Sequence, residues 1–119
     1  VCAALSGRYR MYVVTNGVSH VQRRRMRESG LEQYFSDLFI SEEMGVQKPK
    51  REFFELVSHA VENFSPEKTL VIGDSPTSDV KGAQGFGLDA CWFNPAGRPV
   101  PSPAPTWEIR SLRELLSRL

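Results

Sequence analysis

Thr15-Asn16-Gly17, Lys48-Pro49, Gly73-Asp74-Ser75 and Asp79 are the residues of this chain whose types and order could do chemistry together. They supply a hydroxyl, the N–H groups of a turn, a cation and a pair of carboxylates. A phosphate held in a cleft presents anionic oxygens that need hydrogen-bond donors and a fixed cation. A hard metal such as Mg²⁺ needs carboxylate oxygens and keeps several waters. The set is therefore what phosphoryl transfer requires. Asp74 is the natural metal ligand, because a strand end aims it at the cleft. Asp79, in the first turn of the next helix, can take a metal-bound water or orient Lys48. Thr15 and the N–H groups of Asn16 and Gly17 can hold phosphoryl oxygens as a strand-to-turn nest does, with Ser75 in support.

Taken singly, each of these residues has an ordinary structural explanation. Thr-Asn-Gly is a common turn, a lysine before proline is usually solvated, and Asp74, Asp79 and Ser75 can simply cap a helix and complement its dipole. His20 and His59 fall on helices without a third ligand, and Cys91 falls in a strand as a small core residue. The joint order of hydroxyl, lysine and paired aspartates favours the chemical reading.

The elements that must position these residues alternate as in an α/β fold with a mostly parallel sheet. Met11-Tyr12-Val13-Val14 is a short strand ending at the turn signal Thr15-Asn16-Gly17. Ser19 with Gln22 predicts a capping box for a helix over 20–29, closed by Gly30. Leu38-Phe39-Ile40 is a second strand. Pro49 suits a first helical position, and Phe53, Phe54, Val57, Ala60, Val61 and Phe64 give one apolar face from 50 to 63. After a turn at Ser65-Pro66-Glu67-Lys68, Thr69-Leu70-Val71-Ile72 reads as a strand buried on both faces. A helix over 78–86 follows, stopped near Gly87, and then a strand at Ala90-Cys91-Trp92-Phe93. Residues 95–105 hold five prolines in eleven positions and predict an extended loop. Over 106–119 the pattern is an edge strand at Trp107-Glu108-Ile109 and a helix whose capping box is Ser111 with Glu114. Arg23-Arg24-Arg25 and Arg27 spread around their helix and read as a solvated face.

The 119 residues suit one ordinary domain, and 40% hydrophobic with 24% charged residues is a globular composition. A net charge of +1 is too small for the field that general nucleic-acid binding needs. No apolar run approaches a membrane span, and Cys2 and Cys91 form neither a disulfide framework nor a metal pair. These features give the expectation of a cytoplasmic protein with neither nucleic acid nor membrane as partner. The start at Val1, without methionine or signal pattern, reads as a piece of a longer protein.

Val13-Val14-Thr15-Asn16-Gly17, Val46-Gln47-Lys48-Pro49 and Val71-Ile72-Gly73-Asp74-Ser75-Pro76-Thr77-Ser78-Asp79 resemble the second, third and fourth motifs of the haloacid dehalogenase superfamily. The stretches from Phe39 to Pro49 and from Cys91 to Pro95 resemble its pyrimidine 5'-nucleotidase branch. The resemblance implies the C-terminal portion of a Rossmann-like, doubly wound core domain. It also implies a Mg²⁺-dependent phosphomonoester hydrolase acting through an aspartyl-phosphate, with a nucleoside monophosphate such as UMP, dUMP or dTMP as substrate. Thr15 would bind the phosphoryl group, with Asn16 and Gly17 beside it. Lys48 would neutralise the phosphoaspartate, and Asp74 would ligate Mg²⁺ with Asp79 and Ser75 in support. Gly73-Asp74-Ser75 favours the phosphatases of the superfamily over its dehalogenases. Gly85-Phe86 departs from the pattern, and a glycine inside that helix costs about 1 kcal/mol.

The superfamily's first motif, Asp-x-Asp, occurs nowhere in the chain. The nucleophile, the general acid/base and the helical cap are therefore expected from an N-terminal segment, and the chain alone is expected to be inactive. The first strand of that fold is central, so its loss would leave two half-sheets with unpaired inner edges. Other phosphatases of the superfamily, for sugar phosphates, sialic acid phosphate or phosphoglycolate, stay open, as does a noncatalytic interaction domain. A signalling receiver domain has a similar toolkit but places its acidic pair first and its lysine last.

Overall fold

The computed structural model describes residues 1–102 and 104–119, so that Pro103 of the proline-rich loop lies outside the described residues. The chain divides into two compact units, Val1–Gln47 and Lys48–Leu119.

In the first unit a short helix that the sequence pattern did not announce, α1 (Cys2–Ser6), buries Leu5. It is followed by β1 (Tyr12–Thr15), α2 (Ser19–Ser29), β2 (Asp37–Ile40) and α3 (Ser41–Met44). β1 and β2 pair in parallel, with Tyr12 opposite Asp37 and Thr15 opposite Ile40. β2 carries this unit's core through Leu38, Phe39 and Ile40, and the Tyr12 ring lies 5.9 Å from that of Phe39. Gly30 and Gly45 close α2 and α3 with φ of 74° and 75°, a left-handed conformation that glycine adopts without a Cβ penalty. No residue of α2 is buried, and its arginines face solvent.

The Ser19–Gln22 capping box does not form, and the residue preceding α2, Val18, offers no side-chain cap. The donors at the start of α2 turn instead to α3. Glu42 Oε1 accepts from the Ser19 N–H at 3.0 Å, and Glu43 accepts from the Ser19 hydroxyl and, at 2.7 Å each, from two nitrogens of Arg23. A charged acceptor delivered by the fold outcompetes the neutral local one, because charge-assisted hydrogen bonds are roughly twice as strong.

The second unit contains α4 (Arg51–Ala60), β3 (Leu70–Gly73), a turn of π-helix at Pro76–Lys81 running into α5 (Gly82–Gly85), β4 (Asp89–Phe93), β5 (Trp107–Ile109) and α6 (Leu115–Arg118). The sheet order is β3-β4-β5, all parallel, with Gly73 opposite Trp92 and Cys91 opposite Trp107. Its core is built from Phe53 and Phe54 of α4, Val80 and Ala83 after β3, Ala90, Cys91 and Trp92 of β4, and Ile109 and Leu115. The Ser111–Glu114 capping box is present.

Parallel ladders with helices between the strands make this an α/β fold. Among the described residues, β1 pairs only with β2 and β3 only with β4. That edge position overturns the expectation for Thr69–Ile72: Ile72 is 37% exposed and Leu70 and Val71 are half-buried. Helix α4 starts at Arg51 rather than at Pro49. Gly85 ends α5 instead of interrupting it, and Phe86 stacks on Phe54 at 6.1 Å while the Arg51 guanidinium sits 4.9 Å above its ring. The glycine penalty expected for a helix interior therefore does not apply.

Candidate active site

The second unit's site is built where β3 stops. Ser75 caps the following turn, its hydroxyl accepting from the Ser78 N–H at 3.0 Å. The N–H groups of Asp79 and Val80 both point to the Ser75 carbonyl, at 3.1 and 3.2 Å, and the Gly82 N–H is shared between the Asp79 and Thr77 carbonyls. This wide winding turns the Asp79 side chain back toward the strand end. Its Oδ2 accepts from the Ser75 N–H at 3.1 Å and its Oδ1 from Lys48 Nζ at 2.5 Å. A Cβ on residue 73 would occupy the space of the Asp79 carboxylate, so glycine is required there by close approach.

Lys48 and Asp79 are only 8% and 6% exposed. Two charges at such depth are tolerated because each neutralises the other. Both oxygens of Asp79 are engaged, which makes it the residue that orients Lys48. Asp74 differs: it is exposed, and among the described residues its carboxylate makes no hydrogen bond or ion pair. Its backbone is held, the carbonyl accepting from Trp92 Nε1 at 3.0 Å and from Arg98 Nη2 at 3.2 Å. One outward carboxylate fits Mg²⁺, which takes one or two carboxylates and keeps waters. Among the described residues there is no group of three or more His, Cys, Asp or Glu that could hold a metal by themselves. A hollow of about 380 Å³ in this unit is lined by Pro49, Thr77 and Phe86 among others, and not by Lys48, Asp74 or Asp79.

In the first unit, Thr15 is the last residue of β1 and is half-buried, and Asn16 is exposed beyond it. A Cβ on Gly17 would run into the Gln22 side chain, the residue expected in the capping box. Thus Lys48, Asp74, Ser75 and Asp79 gather in the second unit, and Thr15, Asn16 and Gly17 follow one another at a strand end of the first.

Three further residues stand at the second unit's site to which the sequence alone assigned no role there: Trp92 and Asn94, within the stretch that resembles the nucleotidase branch, and Arg98. Asn94 is fully buried, donating from Nδ2 to the Arg98 carbonyl and to Glu108 Oε2, both at 2.9 Å, and accepting the Arg98 N–H on Oδ1 at 3.0 Å. Asn94-Pro95 is legible as a strand terminator, but the partners it binds are not.

The model of one family, the haloacid dehalogenase-like hydrolases, matches residues 1–87. The chain is similar to HAD-hydrolase YfnB of Bacillus subtilis, with 53% identity over 93% of this chain and 48% of that protein. A crystal structure of YfnB described as bound to magnesium superposes with a TM-score of 0.97 at 49% identity, over 99% of this chain and 52% of that one. The pyrimidine 5'-nucleotidases PynA of Streptococcus pneumoniae and YjjG of Escherichia coli are 42% and 39% identical, over 93% and 94% of this chain and 47% and 50% of theirs. The chain therefore spans about half the length of the curated relatives it matches.

Proposed function

The chain belongs to the haloacid dehalogenase-like hydrolase family, and on that premise we propose that the whole protein hydrolyses phosphomonoesters, with pyrimidine nucleoside 5'-monophosphates as its substrates. The observation that carries this reading is the buried Lys48–Asp79 pair set beside an outward, unpaired Asp74 carboxylate at the end of β3. A structural ion pair alone leaves the lone carboxylate unexplained; a phosphatase site uses both. The two pyrimidine nucleotidases among the relatives support the choice of substrate.

In the proposed reaction an aspartate attacks phosphorus, the P–O bond to the nucleoside breaks, and its oxygen leaves with a proton from a general acid. Water then attacks the aspartyl-phosphate and releases inorganic phosphate. No Asp-x-Asp motif lies within residues 1–119, so the nucleophile and the acid come from outside them. Thr15 donates its hydroxyl to a phosphoryl oxygen, and the N–H groups of Asn16 and Gly17 supply further donors. Lys48, fixed by Asp79, places a positive charge against the phosphoryl group and the carboxylate that carries it. Asp74 holds Mg²⁺, which when bound screens charge between the anionic nucleophile and the anionic ester. Ser75 keeps the Asp74 loop and the turn behind it closed.

The test is a phosphatase panel on the full-length protein, with and without Mg²⁺. Turnover of UMP and dTMP is expected, falling by orders of magnitude in Asp74→Asn. Activity indifferent to that substitution or to EDTA would refute the metal role, and preference for a sugar phosphate would refute the substrate class.

A further inference from the structure

The peptide unit joining Asp74 to Ser75 is held at both of its ends. Its carbonyl, which belongs to Asp74, lies one residue past the end of β3 and accepts from Trp92 Nε1 and from Arg98 Nη2, at 3.0 and 3.2 Å. Its N–H, which belongs to Ser75, donates to Asp79 Oδ2 at 3.1 Å. Three side-chain contacts thus do for this peptide what ladder hydrogen bonds do inside a strand. With this peptide plane fixed, and the preceding residue Gly73 held in β3 opposite Trp92, the backbone on both sides of Asp74 is set, so its Cα–Cβ bond has one direction and only the side-chain torsions remain to place the carboxylate.

The donors on the carbonyl side are themselves built in. Trp92 is fully buried on β4, opposite Gly73 of β3, so its indole N–H is carried to the strand end by the sheet register. Arg98 is exposed, yet Asn94 grips its main chain at both N–H and C=O, and its guanidinium lies 5.8 Å from the centre of the Trp92 ring. A fully buried asparagine whose amide is satisfied on both sides by its downstream loop holds that loop in one position.

We propose that Trp92 and Arg98 are positioning residues that aim the Asp74 carboxylate by pinning the Asp74–Ser75 peptide, and that the Mg²⁺ affinity of the full-length protein depends on them. This rests on the metal role assigned to Asp74 above. Partners behind a metal ligand typically alter metal affinity by 10- to 100-fold when removed.

The two variants make the idea sharp because charge and geometry predict opposite signs for one of them. Loss of a nearby guanidinium removes a Coulomb repulsion and, by charge alone, favours binding of a divalent cation. If Arg98 acts by pinning the peptide, Arg98→Met binds Mg²⁺ more weakly. The experiment titrates MgCl₂ into the full-length protein and follows the metal-dependent rise in melting temperature, for wild type, Asp74→Asn, Trp92→Phe and Arg98→Met. Asp74→Asn should lose the rise. Trp92→Phe and Arg98→Met should keep it but need about 10-fold more Mg²⁺, with Arg98→Met melting near the wild type in EDTA. Wild-type Mg²⁺ dependence in Arg98→Met, with the rise lost in Asp74→Asn, overturns the positioning role and leaves the metal reading intact. A rise retained in Asp74→Asn overturns the metal reading and this inference with it. Should Trp92→Phe fail to fold, Arg98→Met decides alone.

Discussion

At Asp79 one carboxylate serves two donors, the Lys48 ammonium and the Ser75 N–H, and both services depend on the absence of a side chain at Gly73. Breaking a buried pair by removing one charge typically costs about 3–5 kcal/mol, because the surviving charge stays buried without the opposite charge that neutralised it. Asp79→Asn in the full-length protein should therefore lose about 3–5 kcal/mol of stability. The double variant Lys48→Met/Asp79→Asn should recover part of that loss in a thermal or urea unfolding cycle. Additive losses would mean that the two side chains do not act as a pair. The candidate residues themselves were legible in order and type, since Lys48 and Asp74 stand where a turn or a strand end exposes chemistry. The division of labour between the two aspartates was not. Spacing left Asp79 free to serve a metal or the lysine, and only the wide winding of residues 76–81 commits it to Lys48.

Elements show the same limit in a different form. The five strands among the described residues follow from short β-rich runs, yet the end of a helix is decided by whichever acceptor reaches it. At the start of α2 the acceptors come from α3, where Glu42 and Glu43 take the Ser19 donors. The Arg23 guanidinium, and then the Ser19 hydroxyl, hold the Glu43 carboxyl at about 2, well below its ordinary 4.5. A carboxyl with a lowered folded-state pKa stabilises above its unfolded value and loses that contribution as pH falls toward the folded one. The melting-temperature difference between wild type and Glu43→Gln should then be full above about pH 4.5 and close progressively toward pH 2. A difference independent of pH across that window would assign the clasp to shape rather than charge.

At the scale of the whole molecule, β1 and β3 each pair on one side only among the described residues, and both carry apolar side chains that are half-buried or exposed. Unpaired apolar edges template association with other chains. The chain of residues 1–119 on its own is expected to self-associate as concentration rises, which light scattering after gel filtration measures; a monomeric, cooperatively unfolding species would overturn this. No helix among the described residues is long and apolar enough to cross a membrane. By itself the sequence determined the α/β alternation and the order of hydroxyl, lysine and aspartates, because those are written in local periodicity and in residue types at fixed spacing, and its motifs carried the resemblance to the family. The tertiary structure alone decided that Ile72 stands exposed and Leu70 and Val71 are only half-buried, that Asp79 belongs to Lys48, and that Trp92 and Arg98 hold the Asp74 carbonyl. Those outcomes depend on which strand lies beside which and on which distant donor reaches an acceptor first, and neither is encoded in the residues nearby.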